Sequence, residues 1–183
     1  MIFCELDYSD LTLVNKLTLK CNGVGNFSVF TGLKNFKNVV NCSHKDNGAI
    51  PPGTYYIVER KQHDSIGSRV RNSSIDAWNF INWRTNDKNT WFSLYNAQSM
   101  SDATDIGQGK KHGGFRLHPV NSDGTGESDG CITFCDYNAY FQFRHALLNT
   151  LQDEYWKFKG IKVYGVVRVI GNPNFSKCSM SND

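Results

Sequence analysis

No stretch of this chain stays apolar for long: short strand-prone runs recur along its length, and glycine, asparagine or proline punctuates every gap between them. The runs at 11–14 and 16–21 predict an early hairpin, and further strands are predicted at 27–30, 55–59, 91–95, 115–117, 131–134 and 161–170. One segment reads as a helix. Asp136 is placed to cap a run in which Tyr140, Phe143, Leu147, Leu151 and Tyr155 recur at three- and four-residue steps, and that stripe predicts core packing rather than a cofactor site. The expected fold is therefore mainly β with one principal helix, a single domain over residues 1–183. At 183 residues and 20.7 kDa such a chain buries a core without needing staples. The serine-rich stretch at 64–76 and the segment 98–111 are expected to be long loops, placed to act as a lid.

Charge narrows the partners. The formal charge of +3 and pI near 8.5 are mildly basic, the basic residues are scattered, and Lys110-Lys111 is the one adjacent pair of lysines. That pattern carries no nucleic-acid footprint, although it permits weak attraction to an anionic envelope. No apolar run approaches the ~20 residues of a membrane span, so no membrane partner is expected. Glu5, Asp7 and Asp10 precede the first basic residue, Lys16, which is not the pattern of a signal peptide; the expectation is a protein made in the cytoplasm that does not export itself. Aromatic residues make up 13%, and Trp78, Phe80, Trp83, Trp91, Phe92 and Tyr95 gather before the polar segment discussed next, as core or cleft wall.

His118 and Cys131 bracket that segment, which holds one aliphatic residue, Val120, among asparagine, serine, aspartate, threonine, glutamate and glycine. A thiol and an imidazole at a loop–strand junction are the equipment of a cysteine acyl-transferase. A cysteine with a pKa of ~8.5 is only a few per cent thiolate at neutral pH, so full ionisation by an imidazole gains only ~30-fold. Positioning and oxyanion stabilisation must supply the rest. Gly130 allows a tight turn that aims its own amide and that of Cys131 at a developing oxyanion. Ser128 and Asp129 are candidates to orient His118, with closure of the turn as the plainer role for Ser128. The chemistry requires no cofactor and no metal.

The cysteines admit other readings. Six of them, Cys4, Cys21, Cys42, Cys131, Cys135 and Cys178, invite three disulfides, yet the density is too low for a disulfide scaffold and the nucleophile must stay free. Cys135 would trap Cys131 by oxidation if the geometry allowed it. A zinc site from Cys131, Cys135, His112 and His118 lacks the spacing of a common structural one. A papain-like or amidase-type cysteine hydrolase would use the same residue pair, but those families usually place cysteine before histidine. A non-catalytic wall-binding module with an inert, buried Cys131 is the third class.

Three motifs carry a family resemblance. His118 in a short predicted strand, a polar loop and Ser128-Asp-Gly-Cys131 resemble the signature of L,D-transpeptidases of the YkuD type, in which the loop ends Ser-His-Gly-Cys. Gly48-Ala-Ile-Pro-Pro-Gly-Thr-Tyr-Tyr-Ile57 is similar to the Pro-x-Gly-x-aromatic turn and strand that precede the core of that family. With Gly114-Phe-Arg-Leu-His-Pro119 and the compact length, the chain looks closest to the type VI secretion L,D-transpeptidase effectors. The resemblance runs from about Phe27 to Phe134. It implies an L,D-transpeptidase-like β-sandwich or open barrel and a cysteine thioester mechanism on peptidoglycan stem peptides. It also implies delivery to the periplasm of a target cell, a cognate immunity protein and a secretion-machine carrier. Two positions depart from the pattern: Asp129 stands where the family has a second histidine, and Thr133 where housekeeping members commonly carry arginine. Recognition of a peptide carboxylate must then come from elsewhere. Arg116, on the same strand face as His118, is one candidate, a solvent-facing charge being the alternative.

Overall fold

The computed structural model describes residues 1–59, 88–105, 111–121, 124–126, 128–151, 153–154 and 162–178. Eleven strands and one α-helix are found there: β1 Ile2–Asp7, β2 Leu17–Cys21, β3 Gly25–Phe30, β4 Gly53–Glu59, β5 Phe92–Asn96, β6 Ala103–Asp105, β7 Lys111–Gly113, β8 Arg116–Pro119, β9 Ile132–Phe134, α1 Tyr137–Leu148, β10 Asp153–Glu154 and β11 Lys162–Ile170. The main sheet runs β1-β2-β3-β9-β8-β5-β4-β11-β10. Because β11 also pairs in parallel with β1, its first eight strands close into a ring. The fold is thus mainly β and barrel-like, as expected, and closure leaves neither β1 nor β11 as a free edge. Gly165 permits it, since a Cβ there would sit 2.5 Å from the Ile2 carbonyl oxygen.

Period-two alternation explains most of the ring. In β1, Ile2, Cys4 and Leu6 are buried while Phe3 is exposed; in β2, Leu17, Leu19 and Cys21 are buried. A disulfide joins Cys4 to Cys21, which face each other across the β1–β2 register. A second ties Cys42 to Cys178, so the six cysteines form two bridges rather than three, with Cys131 and Cys135 free.

The predicted early hairpin is corrected. Residues 11–14 form no strand: the Thr12 amide donates to the Lys16 carbonyl, the Asn15 amide to the Thr12 carbonyl, and Asn15 takes a positive φ of 54°. That tight turn turns Leu13 and Val14 to solvent with nothing to pack on, and β2 pairs instead with β1 and β3. The segment 98–111, expected to be a long loop, contains the β6–β7 pair. Residues 64–76 and the aromatics Trp78, Phe80 and Trp83 lie outside the described residues.

The helix begins where expected, the Asp136 carboxylate accepting from the Ala139 amide at 2.6 Å. Tyr140, Phe143 and Leu147 are fully buried. Burial of each large apolar side chain contributes about 1.5–3 kcal/mol. Leu151 is a correction: it falls beyond the helix end and is 87% exposed. Tyr155 lies outside the described residues. Phe134 of β9 meets Phe27, Tyr140 and Phe143 at ring-centroid distances of 5.3 Å, so the helix stripe backs the strand that follows Cys131.

Candidate active site

Strands β8 and β9 lie parallel, with Leu117 opposite Ile132, His118 opposite Thr133 and Pro119 opposite Phe134. Alternation then divides the pair. Leu117, Ile132 and Phe134 belong to one face and to the core, whereas Arg116, His118 and Thr133 belong to the other. Cys131 lies just before β9, next to Ile132, which is registered with Leu117. The register thus sets the backbone of Cys131 beside the β8 segment that carries His118, and both residues are buried.

The His118 ring is held on three sides. Its Nδ1 lies 2.9 Å from the Pro119 carbonyl, which can only accept, so Nδ1 carries the hydrogen and Nε2 the lone pair. Nε2 is 3.2 Å from the Thr133 hydroxyl, which donates to it in this tautomer. Trp91 stacks on the imidazole with centroids 4.2 Å apart and planes 17° apart. Proline at 119 costs β8 no donor that the contact needs, because its carbonyl is the group used. Below the ring, the Tyr140 hydroxyl donates to the Thr90 carbonyl at 2.6 Å and lies 3.2 Å from that of Leu117, tying the helix to β8. Burial pushes this phenol well above its ordinary range, so it remains a donor.

Cys131 is held differently. Gly130 adopts φ +87°, a region that disfavours any side chain, and a Cβ there would lie 2.8 Å from both His112 Nε2 and Phe115 Cε1. The Ser128 hydroxyl donates to the Cys131 carbonyl at 2.6 Å, and the Thr31 hydroxyl to the Gly130 carbonyl at 3.2 Å. The thiol lies 3.8 Å from the Gly114 carbonyl. Ser128 thus closes the turn that leads into Cys131. Asp129 is exposed. Arg116 pairs with Asp102 at 2.6 Å and donates to the Phe115 carbonyl at 2.8 Å, which places its charge beside the site, half-buried and already partnered.

Cys135 lies past the far end of β9. Four extended residues span ~13 Å, beyond the ~7 Å Cα limit for a disulfide, so the trapping bond from Cys131 to Cys135 is excluded by geometry. Among the described residues no three His, Cys, Asp or Glu side chains gather as a metal site. His112 Nδ1 faces the Ser43 carbonyl at 3.1 Å.

Sequence reasoning missed Thr31. Its hydroxyl accepts from the Ile50 amide at 2.8 Å while donating to Gly130, so this one buried side chain joins the segment 48–57 to the turn before Cys131. The link spans 99 residues along the chain, and no local pattern announces it. Trp91 is one of several aromatics in its stretch of sequence, and nothing in its spacing marks it as the residue that stacks on His118.

A barrel that carries an oriented imidazole on one of two adjacent parallel strands and a thiol at the start of the other matches the architecture expected of an L,D-transpeptidase-like protein. The Tlde1 domain family model matches residues 25–156, well over half of the chain. The protein belongs to the Tlde1 domain family, the type VI secretion L,D-transpeptidase effectors, and so to a class of secreted antibacterial enzymes that act on peptidoglycan. No curated protein matches it in sequence.

Proposed function

We propose that the protein removes or exchanges the terminal D-amino acid of peptidoglycan tetrapeptide stems through a thioester on Cys131. The observation that supports this reading is the parallel pairing of β8 with β9, which sets buried Cys131 beside the segment that carries His118, with the imidazole tautomer fixed by the Pro119 carbonyl. His118 takes the thiol proton at Nε2. The thiolate attacks the carbonyl at the L-centre of the third, diamino acid residue, and the Gly130 and Cys131 amides receive the oxyanion. Collapse breaks the bond to the terminal D-residue, whose amine leaves with the proton from His118. Water then gives an L,D-carboxypeptidase, a free D-amino acid gives exchange, and a neighbouring stem amine gives a cross-link; His118 takes the proton of the acceptor in each case.

Gly130, Ser128 and Thr31 serve this chemistry by fixing the turn. Arg116 is the cation nearest the pair along β8, and a substrate carboxylate would have to share it with Asp102. The effector acts in the periplasm of the target cell, with a cognate immunity protein and a secretion-machine carrier as partners. Assembled stem peptides lie beyond the inner membrane, so location controls toxicity. Expression in the bacterial cytoplasm should be harmless, while the same chain fused to a periplasmic signal should halt growth or deform cells, and its Cys131→Ala variant should be tolerated. Equal toxicity from both compartments, or from Cys131→Ala, would direct attention to a different target and to the interaction-module reading.

A further inference from the structure

His112 is 2% exposed, yet its Nε2 has no hydrogen-bond partner among the described residues. Nδ1 faces the Ser43 carbonyl at 3.1 Å and therefore carries the hydrogen, which leaves a buried lone pair at Nε2. Such a group is destabilising where it stands, and an apolar ring of the same size would avoid the penalty. The uncompensated atom does not lie in an arbitrary part of the core. It faces the place where a Cβ of Gly130 would be, 2.8 Å away, one residue before the nucleophile.

The neighbours of His112 reach the same turn. Phe115 meets the imidazole edge-on at 4.8 Å and touches the Gly130 position from the other side, while the Gly114 carbonyl faces the Cys131 thiol at 3.8 Å. Segment 112–115 thus cradles Gly130 and Cys131. The anchor for the imidazole is itself tethered. Ser43 follows Cys42, which is bonded to Cys178; in the same C-terminal segment Phe175 packs on His44 with centroids 4.7 Å apart, and the Asn174 amide donates to the Asn41 side chain at 2.7 Å.

We propose that His112 is the positioning residue of the nucleophile turn, an imidazole supplied from β7 where position 129 of the signature carries aspartate. It acts through Gly130 rather than on the substrate. Its ring sets how deeply the left-handed turn closes and hence where the Cys131 amide and thiol lie, and the Cys42–Cys178 bridge holds the ring through Ser43. The inference rests on Cys131 being the nucleophile.

The test measures alkylation of Cys131 by a small iodoacetamide probe across pH on the full folded chain, together with kcat and KM on tetrapeptide stems. His112→Phe keeps the ring and loses the Ser43 bond; His112→Asn keeps a donor for Ser43 and loses the ring. Both should lower kcat about 10- to 100-fold at nearly unchanged KM and alter the alkylation profile, as a nucleophile displaced by a fraction of an ångström should. Removing the two bridges separately provides the control for general stability. The Cys42→Ser/Cys178→Ser protein should change Cys131 reactivity, whereas Cys4→Ser/Cys21→Ser should lower Tm and leave it unchanged. Wild-type alkylation and kcat in both folded His112 variants would overturn the inference and leave the nucleophile assignment intact. A wild-type Cys131 that is inert to the probe would overturn both.

Discussion

The two halves of the site are held by different physics. His118 belongs to the ladder: β8 is flanked by β5 and β9, and the ring is fixed by the carbonyl of its own neighbour and by a stacked tryptophan. Cys131 stands just outside the ladder, at the end of a left-handed glycine turn, and is positioned by hydrogen bonds from Ser128 and Thr31 and by the 112–115 cradle. A ladder resists displacement cooperatively, because many backbone bonds must shift together. A turn held by single side chains does not. The difference implies that the His118 half tolerates substitution in its surroundings, while the Cys131 half is sensitive to changes far away in sequence.

The largest effect should come from the pair itself. Cys131→Ala and His118→Ala should each lower turnover by at least about 10³-fold without unfolding the chain, since a nucleophile and its base act as a unit. Circular dichroism beside the activity assay would separate loss of chemistry from loss of fold. Gly130→Ala comes next. Forcing a side chain to φ +87° against His112 and Phe115 should cost about 1–3 kcal/mol and most of the activity. If Gly130→Ala were active and stable, the left-handed turn would not be what aims the thiol.

Thr31→Val sharpens the comparison, because it unpairs the Ile50 amide and the Gly130 carbonyl without touching the ladder. A penalty of about 1–3 kcal/mol per stranded group is expected in thermal or urea unfolding, with a kcat loss that exceeds the one from Thr133→Val. The opposite order would place control in the His118 half. The smallest effect belongs to the start of the helix. Asp136→Ala should cost about 1 kcal/mol of stability through its lost cap and leave turnover unchanged.

Alkali probes the scaffold separately. Burial pushes the Tyr55 phenol up to about 12, while its hydroxyl donates to the Pro51 carbonyl at 2.7 Å. Its folded pKa exceeds the unfolded value of ~10, so its stabilisation is fully present below ~10 and is lost as pH rises through about 12. Tyr55→Phe should flatten that part of a stability–pH curve.

What the sequence disclosed follows the same division. The β-rich class and the buried helix stripe through Leu147 rest on periods that one segment carries alone. The alternation Ile2, Cys4, Leu6 is equally local and marks β1, with Phe3 and Glu5 on the opposite face. Leu13 and Val14 misled in the other direction, since apolar character alone cannot show that a turn will hold them in solvent. Thr31, His112 and the Cys42–Cys178 pairing were not legible. Each works through a contact with a segment distant in sequence, which no local pattern announces.

Release of the terminal D-amino acid from purified tetrapeptide stems, resolved by mass, tests the central claim most directly. The wild-type protein should release it, and a Cys131-linked acyl intermediate should appear when the reaction is quenched early. Cys131→Ala should show neither product nor adduct. Near wild-type release by folded Cys131→Ala would contradict the account.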